Sequence, residues 1–447
     1  MTRDQLKRRN DFFVILLCFS FMLFCYSYGS KVTSYNTTLY AFSYKYGFIS
    51  RAFIGTIYQG VAQLLGLDML HYRSALAFTQ IITGIFFLDM FLFFSFVYKW
   101  TRPEYIRYTE FLIILMTLLT VPMFSSKYNF GRVDIYMFGF SLLGAIIIVS
   151  KRCEFLMAPI VAMSCMVHQG YVFMYFNIIL VLLIYRFFTP TETAAEHLRR
   201  RIAARHEGEA GLISEFKNHS IGVSESTKKR NAKKYGILFV LCFLTGSALF
   251  LYFEFFSRTN GDNIVNEIIR NASAVSYHGD YHKTLIDHEI LNVDLADEEW
   301  EFHLENFVQT PFFLILVSPF LWLWFRYAKE VFSRAVTLEE KIKYFFVLFG
   351  FLTLIPNYAL KVDYARWTFA AATYFFVVTL SLIAMEDQVV IESLKSVRSL
   401  QHGHPWLVLI IPYLIILVPF WDVYYDQVLK NLGDWVNILF LNWWEAG

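Results

Sequence analysis

The sequence predicts an all-α, polytopic membrane protein, and three observations lead to this fold class. Hydrophobic residues make up 57% of the 447 positions. Charged residues make up only 17% of them, whereas soluble domains carry roughly 25%. The apolar residues also occur in long blocks, such as 12–26 and 171–184, instead of alternating with polar residues. Lipid admits only helices and closed barrels as spanning structures, and unbroken apolar blocks favour helices.

A spanning helix needs about 20 mainly apolar residues. About eleven segments meet or approach that length, namely 11–29, 75–98, 110–125, 135–150, 154–168, 171–187, 235–256, 311–327, 343–358, 367–385 and 405–421. The first of them follows a basic start and lacks a small-residue cleavage site, so we expect a retained anchor.

The distribution of Lys and Arg predicts the orientation of these spans. Every second connecting segment is rich in the two residues, and such an excess is typical of cytoplasmic segments. We therefore expect a cytoplasmic N-terminus and a C-terminus outside.

Two helical bundles are expected, joined by a polar segment. Residues 1–187 would form the first, with about six spans, and residues 235–447 the second, with about five. Residues 188–234 would form a cytoplasmic loop that ends in a Ser- and Lys-rich linker. On the outer side, residues 48–66 are too polar for a span and predict an interfacial or re-entrant helix, while residues 257–310 would form an acidic loop.

Charge and cysteine usage exclude some classes of partner. The net charge of +2 gives no reason to expect nucleic acid. The five cysteines lie in or beside apolar segments without C-x-x-C spacing, so neither a disulfide framework nor a metal site is indicated. His278 and His282 in the outer loop have helical spacing, but Gly279 weakens a helix there. We therefore expect no metal and no cofactor.

Four short polar motifs fall on the predicted outer side, each beside an apolar segment: 46–51, 129–134, 168–170 and 361–367. Three of them contain an arginine, namely Arg51, Arg132 and Arg366. A guanidinium donates two parallel hydrogen bonds to phosphate oxygens, and it is costly near a bilayer unless it is paired or functional. Three arginines on one face therefore predict a site for an anionic ligand at the membrane surface.

The same arginines could instead have a purely structural role, as partners in ion pairs. Asp134 lies two residues from Arg132, and Asp363 lies three residues from Arg366. Either pair could be an ion pair that only supports the fold, so both interpretations stay open from the residues alone.

Other polar residues are candidates for the same site. His168 ends a predicted helix on the outer side, where a neutral imidazole can accept a proton from an attacking hydroxyl; a structural hydrogen bond is the alternative. Gln169 and Lys361 belong to two of the four motifs and are further candidates for substrate contact. Asp89 lies within an apolar segment, so it contacts the substrate, pairs with a Lys or Arg of another helix, or is neutral.

The motifs resemble those of a known family. Gly-Phe-Ile-x-Arg at 47–51, Arg-x-Asp at 132–134, the histidine at 168 and Asp-x-x-Arg-Trp at 363–367 are similar to motifs of bacterial O-antigen and capsular-polysaccharide polymerases, the Wzy- and EpsG-like groups. The resemblance covers most of the spanning region through its topology and these short motifs. It implies a multi-pass enzyme of the plasma (inner) membrane that carries out metal-independent glycosyl transfer on the outer face.

The resemblance also implies the substrates and the roles of the residues. A growing glycan on undecaprenyl pyrophosphate would move onto a hydroxyl of another lipid-linked repeat unit. Membrane lipids, a flippase and a chain-length regulator of the same pathway would be further partners. Arg51, Arg132 and Arg366 would bind the pyrophosphate, and His168, or failing it Asp134 or Asp363, would be the general base.

Three alternatives fit the same sequence. The first is a multi-span GT-C-type glycosyltransferase that uses polyprenyl-phosphate sugars. Such enzymes resemble one another in carrying an acidic residue in the first outer loop, often with a divalent metal, but residues 30–67 contain no Asp or Glu. A lipid-linked oligosaccharide flippase would show internal repeats and polar, broken helices near the midplane, and we find no repeat. A non-enzymatic scaffold of a polysaccharide assembly complex is the third.

Overall fold

The protein is all-helical wherever its structure is described. The computed structural model describes residues 3–27, 31–102, 105–125, 129–189, 225–257, 262–289, 320–360 and 364–403, together with Ile315 and Ser318. Within these ranges no strand occurs, which confirms the all-α class. The α-helices are α1 (Arg3–Ser27), α2 (Ser34–Ala41), α3 (Ala52–Leu64), α4 (Tyr72–Trp100), α5 (Ile106–Ser125), α6 (Asp134–Ser150), α7 (Met157–Val167), α8 (Tyr171–Met174), α9 (Phe176–Phe188), α10 (Glu225–Phe255), α11 (Asp262–Val275), α12 (Lys283–Glu289), α13 (320–334), α14 (Leu338–Phe349), α15 (Ile355–Leu360), α16 (Tyr364–Ala384) and α17 (Gln388–Gly403).

Four of the described helices are long and apolar enough to cross a membrane: α4, α5, the 229–255 part of α10 and the 366–384 part of α16. The longest continuous apolar helix of the four, α4, has 29 residues, or roughly 44 Å at 1.5 Å per residue. The hydrocarbon core of a bilayer is about 30 Å thick, so α4 is long enough to span it with some tilt. Helices α1, α6, α7 and α9 contain shorter apolar stretches.

Two predicted spans are interrupted in the structure. The segment 171–187 is divided at Tyr175, whose backbone carbonyl accepts a hydrogen bond from the Ser141 hydroxyl of α6 at 3.2 Å. The segment 343–358 is divided by a 3₁₀ turn, Gly350–Leu354, that separates α14 from α15. A side chain that inserts beside the helical hydrogen-bond ladder interrupts it, and hydrophobicity alone gives no sign of that.

The prediction of a Ser- and Lys-rich linker before residue 235 is wrong for residues 225–234, which are helical. Helix α10 begins at Glu225 and continues without a break to Phe255. The sequence from 225 to 234 contains neither Gly nor Pro, and Lys, Arg, Ala and Glu are good helix formers. Once the apolar part of α10 is helical, extending it by such residues is favourable because only helix nucleation is costly.

An aromatic cluster joins α4, α5, α6 and α16 at the centre of the bundle. The ring of Phe86 lies 4.7 Å from that of Phe124, and Phe124 lies 5.8 Å from Phe369. Phe138 contacts Phe369 at 6.4 Å and Tyr175 at 5.4 Å. Aromatic pairs at these separations stabilise a core beyond the effect of the area that they bury. The cluster therefore fixes the relative positions of α6 and α16, which both begin at the same end of the bundle.

That end, called here the Asp134 end, is where α6 and α16 begin. The opposite end, the Asp387 end, is where α17 begins. There the Asp387 carboxylate accepts hydrogen bonds from the hydroxyls of Tyr185 at 2.7 Å and Tyr344 at 2.8 Å. It also accepts one from the backbone N–H of Val390 at 2.8 Å, so it caps the N-terminus of α17.

A glycine permits the close approach of α2 and α3 at the Asp134 end. A Cβ atom at Gly55 would lie 1.9 Å from the backbone oxygen of Phe42 and 2.7 Å from that of Leu39. Backbone atoms cannot move aside without separating the two helices. We therefore expect Gly55→Ala to lower the free energy of unfolding in mixed micelles by about 1–3 kcal/mol.

Gly60 is the matched control on the same helix. A Cβ atom at Gly60 would meet nothing within 4 Å, so Gly60→Ala should keep or raise stability, by up to about 1 kcal/mol. Equal effects of the two substitutions would show that α2 and α3 are not packed this closely.

Candidate functional site

A buried ion pair forms the centre of the Asp134 end. Nη2 of Arg366, in the first turn of α16, donates to Oδ2 of Asp134 at 2.8 Å. Asp134 is fully buried and Arg366 is only 5% exposed. Asp134 is the first residue of α6, where the helix dipole favours a negative charge. The observed partners are 232 residues apart in sequence, so the pair joins the two predicted bundles.

Arg132 and Tyr175 lie beside this pair. The Arg132 guanidinium donates to the side-chain oxygen of Asn129 within the same loop. The Tyr175 hydroxyl donates to Oδ1 of Asp134 at 3.5 Å, and both Arg132 and Arg366 are close enough to interact electrostatically with that hydroxyl. Two of the three predicted arginines therefore converge on one buried tyrosine.

Helix α2 connects the loop of Arg132 to the third arginine. The amide nitrogen of Asn36 donates to the backbone oxygen of Phe130 at 2.9 Å. The preceding residue, Tyr35, accepts a hydrogen bond from Nη1 of Arg51 at 2.7 Å through its hydroxyl. Neighbouring residues of one short helix thus contact both arginine-bearing segments, so all three predicted arginines lie at the same end of the bundle.

Arg51 has an unusual backbone conformation. Its φ of 59° and ψ of 6° place it in the left-handed region, directly before α3 begins. Residues other than glycine adopt this region at a cost of roughly 1–3 kcal/mol, and such residues cluster at functional sites. The conformation directs the chain from the 3₁₀ turn Tyr44–Tyr46 into α3 while the guanidinium points to Tyr35.

His168 lies at the turn that follows α7, and the next residue ties this turn to the Arg51 loop. The Ser50 hydroxyl donates to the side-chain oxygen of Gln169 at 2.7 Å. Nδ1 of His168 accepts a hydrogen bond from the backbone N–H of Gly170 at 2.8 Å. A neutral imidazole has one protonated and one unprotonated nitrogen. Because Nδ1 accepts here, Nε2 carries the proton and is a hydrogen-bond donor.

His282 joins the site from the segment that precedes α12. Its ring makes an edge contact with Tyr35, with ring centroids 5.3 Å apart, and its backbone N–H donates to the Thr38 hydroxyl at 2.9 Å. Burial lowers the pKa of His282, and the nearby positive charge of Arg51 acts in the same direction. His282 is therefore neutral at pH 7.

Comparison of the chain with known protein families, curated proteins and solved structures finds no match. The chemistry of the site is therefore argued from its own side chains. Guanidinium, hydroxyl and imidazole N–H groups are all donors, which suits the oxygens of a phosphate. Within the described part of the chain, no three His, Cys, Asp or Glu side chains are grouped so that they could hold a metal ion.

Asp89, Lys361 and Asp363 are the remaining predicted site residues. Asp89 lies in α4 beside Gly139 of α6, where a Cβ atom would be 3.6 Å from Oδ2 of Asp89. It makes no hydrogen bond or ion pair to any described residue, so the expected cationic partner is not found among them. Lys361 and Asp363 lie outside the described residues.

Sequence reasoning missed four members of the site: Tyr35, Asn36, Tyr175 and His282. The signal for α2 was a short polar segment, Ser34–Thr38, next to apolar residues. Asn36, Thr37 and Thr38 are all buried, and buried polar side chains are normally hydrogen-bonded within the protein. His282 stood out only as a candidate metal ligand with His278, and Tyr175 lies in an apolar segment. Only tertiary contacts bring these two residues to the site.

Proposed function

We propose that the protein is a membrane-embedded polysaccharide polymerase that joins undecaprenyl-pyrophosphate-linked repeat units on the outer face of the plasma membrane without a metal. The observation that carries the proposal is the convergence of Arg51, Arg132 and Arg366 at one end of the bundle. Three cationic side chains beside apolar helices suit a pyrophosphate that is attached to a hydrocarbon tail. The resemblance of the motifs to O-antigen and capsular-polysaccharide polymerases supplies the reaction type.

The three arginines have different roles in this proposal. Arg51 and Arg132 are half-buried and bind the pyrophosphate oxygens. Arg366 is buried and paired with Asp134, so it is a positioning residue that orients α6 and α16. In the reaction, a hydroxyl oxygen of the acceptor unit attacks the anomeric carbon of the donor glycan. The bond from that carbon to the pyrophosphate oxygen breaks, and the lipid pyrophosphate leaves with the electron pair.

The proton of the attacking hydroxyl needs a base. Asp134 is held by Arg366, and the unprotonated nitrogen of His168 is occupied by the N–H of Gly170. Asp363 is therefore the candidate base that we favour. His168 instead donates from Nε2 to a phosphate oxygen and stabilises the charge that develops on the leaving group.

Substitution of His168 distinguishes a general base from a hydrogen-bond donor to the leaving group. The amide nitrogen of glutamine can replace an Nε2 donor but not a base. We expect His168→Gln to keep at least about a tenth of the turnover and His168→Ala to lose roughly 100-fold, as for removal of one oxyanion donor. Equal loss in both variants, with turnover that rises with pH in the wild type, would assign the base to His168.

The proposed topology has about eleven spans, a cytoplasmic N-terminus and a C-terminus outside. It is supported by the alternation of basic segments and by the four helices that are long enough to cross a bilayer. It places the Asp134 end outside. Cysteine accessibility tests it: a cysteine in place of Lys45, which is exposed at the Asp134 end, should react with an impermeant reagent in intact cells.

The function is tested by reconstitution. Purified protein in liposomes receives undecaprenyl-pyrophosphate-linked repeat units, and products are separated on a gel with and without a chelator. A ladder of lengthened products that the chelator does not affect supports the polymerase. Transfer of single sugars that a chelator abolishes would favour the GT-C-type alternative. Movement of intact substrate across the bilayer without new bonds would favour a flippase.

A further inference from the structure

A cavity of about 370 Å³ lies between α5, α13, α16 and α17, and none of the three arginines of the proposed site lines it. This volume falls within the range of about 300–1,000 Å³ that is typical of small-ligand sites. Most of the walls are apolar, formed by side chains such as Leu112, Leu115, Leu323 and Phe376. The cavity belongs to the half of the bundle towards the Asp387 end, because α5 begins there and α17 lies there.

The cavity has an elongated shape with one charged end. Arg107, Phe111 and Leu115 line it at successive turns of α5, which extends it over roughly 12 Å along the helix axis. Arg107, one residue from the start of α5, is exposed, whereas Leu115 is only 3% exposed. The cavity therefore runs from a cation at the end of the bundle to buried apolar side chains within it.

The charge of Arg107 has no compensation within the described part of the chain. Its guanidinium makes no ion pair or hydrogen bond to any described residue. Its neighbours on the same surface differ in this respect, because Arg102 is paired with Glu386 at 2.8 Å and Lys395 with Glu392 at 2.6 Å. A cation at the opening of an apolar slot that runs along the bundle complements a molecule with an anionic head and a hydrocarbon chain.

We propose that this cavity binds one acyl chain of an anionic phospholipid, with its phosphate on Arg107. The head group then lies at the membrane interface, where α5 begins, and the chain lies between α5 and α13 beside Trp324. This site is separate from the proposed polymerase site. A bound lipid would fill the gap between α13 and α5, and so would stabilise the second bundle against the first.

The test uses the purified full-length protein in a non-ionic detergent. Dioctanoyl phosphatidylglycerol, dioctanoyl phosphatidylcholine and inorganic phosphate are titrated separately, and the midpoint of thermal unfolding is followed. A ligand that binds only the folded state raises the midpoint with its concentration. We expect phosphatidylglycerol to act at about 10-fold lower concentration than phosphatidylcholine, because the choline cation offsets the phosphate charge beside Arg107, and inorganic phosphate to have no effect.

Three variants complete the test. Arg107→Gln should remove the difference between the two lipids, while Arg152→Gln, an exposed arginine at the same end of the bundle, should leave it unchanged. Leu115→Phe, which fills the cavity, should weaken the response to both lipids. The exposed Arg107 variant keeps the test decisive if the Leu115 variant fails to fold. A response that is the same in Arg107→Gln as in the wild type, or no response to either lipid, would overturn the proposal.

Discussion

Arg366→Ala should strongly destabilise the protein, lowering the free energy of unfolding by about 3–5 kcal/mol. The substitution leaves the fully buried Asp134 carboxylate without its cation at 2.8 Å. The loss comes mainly from the uncompensated charge, since the Tyr175 hydroxyl at 3.5 Å is the only other contact shown for that carboxylate among the described residues. Asp134→Ala should have an effect of similar size. Unfolding in mixed micelles and the amount of protein in the membrane measure both.

The double variant and an exposed pair provide the controls. Replacing both residues by apolar ones of similar size, as in Asp134→Leu with Arg366→Met, should restore most of the stability. Arg334→Ala breaks the exposed pair with Glu330 and should cost only roughly 0.2–1 kcal/mol. If Arg366→Ala were as mild as Arg334→Ala, the buried ion pair would not support the junction of α6 and α16.

Arg51→Ala and Arg132→Ala should each lower polymer formation by at least about 100-fold, as expected when one donor to a developing negative charge is removed. Both side chains are half-buried at the Asp134 end. Arg51 donates a hydrogen bond to Tyr35 and Arg132 donates one to Asn129, both neutral partners, and such a bond contributes about 1 kcal/mol to stability. Product length on a gel, compared at equal amounts of folded protein, measures the effect.

Lysine substitutions and an exposed control arginine make this result specific. Arg51→Lys and Arg132→Lys keep the charge but lose the two parallel hydrogen bonds, so we expect an intermediate loss. Arg73→Ala removes an exposed arginine from the first turn of α4 and should leave the ladder unchanged. Ladders of wild-type length in both alanine variants would contradict the pyrophosphate assignment, whatever the result for Arg366.

The sequence predicted the helical class and the longest helices well, because both depend on local composition. The helix α4 contains an apolar stretch long enough to span a bilayer, and its capping residues His71 and Thr101 stand directly outside it. The interruptions at Tyr175 and at Gly350–Leu354 were not predictable from composition. Hydrogen bonds from other helices accompany both, from Ser141 to the Tyr175 carbonyl and from Tyr374 to the Val347 carbonyl. Helical periodicity carries no information on such contacts.

The site was predicted as a set of residue types but not as an arrangement. The three arginines were found because arginine beside an apolar segment is costly and therefore informative. Their partners were not found. Asp134 lies closest in sequence to Arg132, yet the structure pairs it with Arg366, and α2, which links the Arg51 and Arg132 segments, lies in a segment expected to be a loop. Contacts between residues far apart in sequence decide both features.

The left-handed backbone of Arg51 has a consequence for how this position can vary. A glycine would adopt the same φ of 59° without strain, so Arg51→Gly should fold at least as readily as Arg51→Ala. The native chain is therefore less stable than it could be at this position by roughly 1 kcal/mol. Random substitution with selection for thermal stability alone should favour glycine at position 51. Selection for polymer formation should keep arginine, so the two selections should yield different residues at this position.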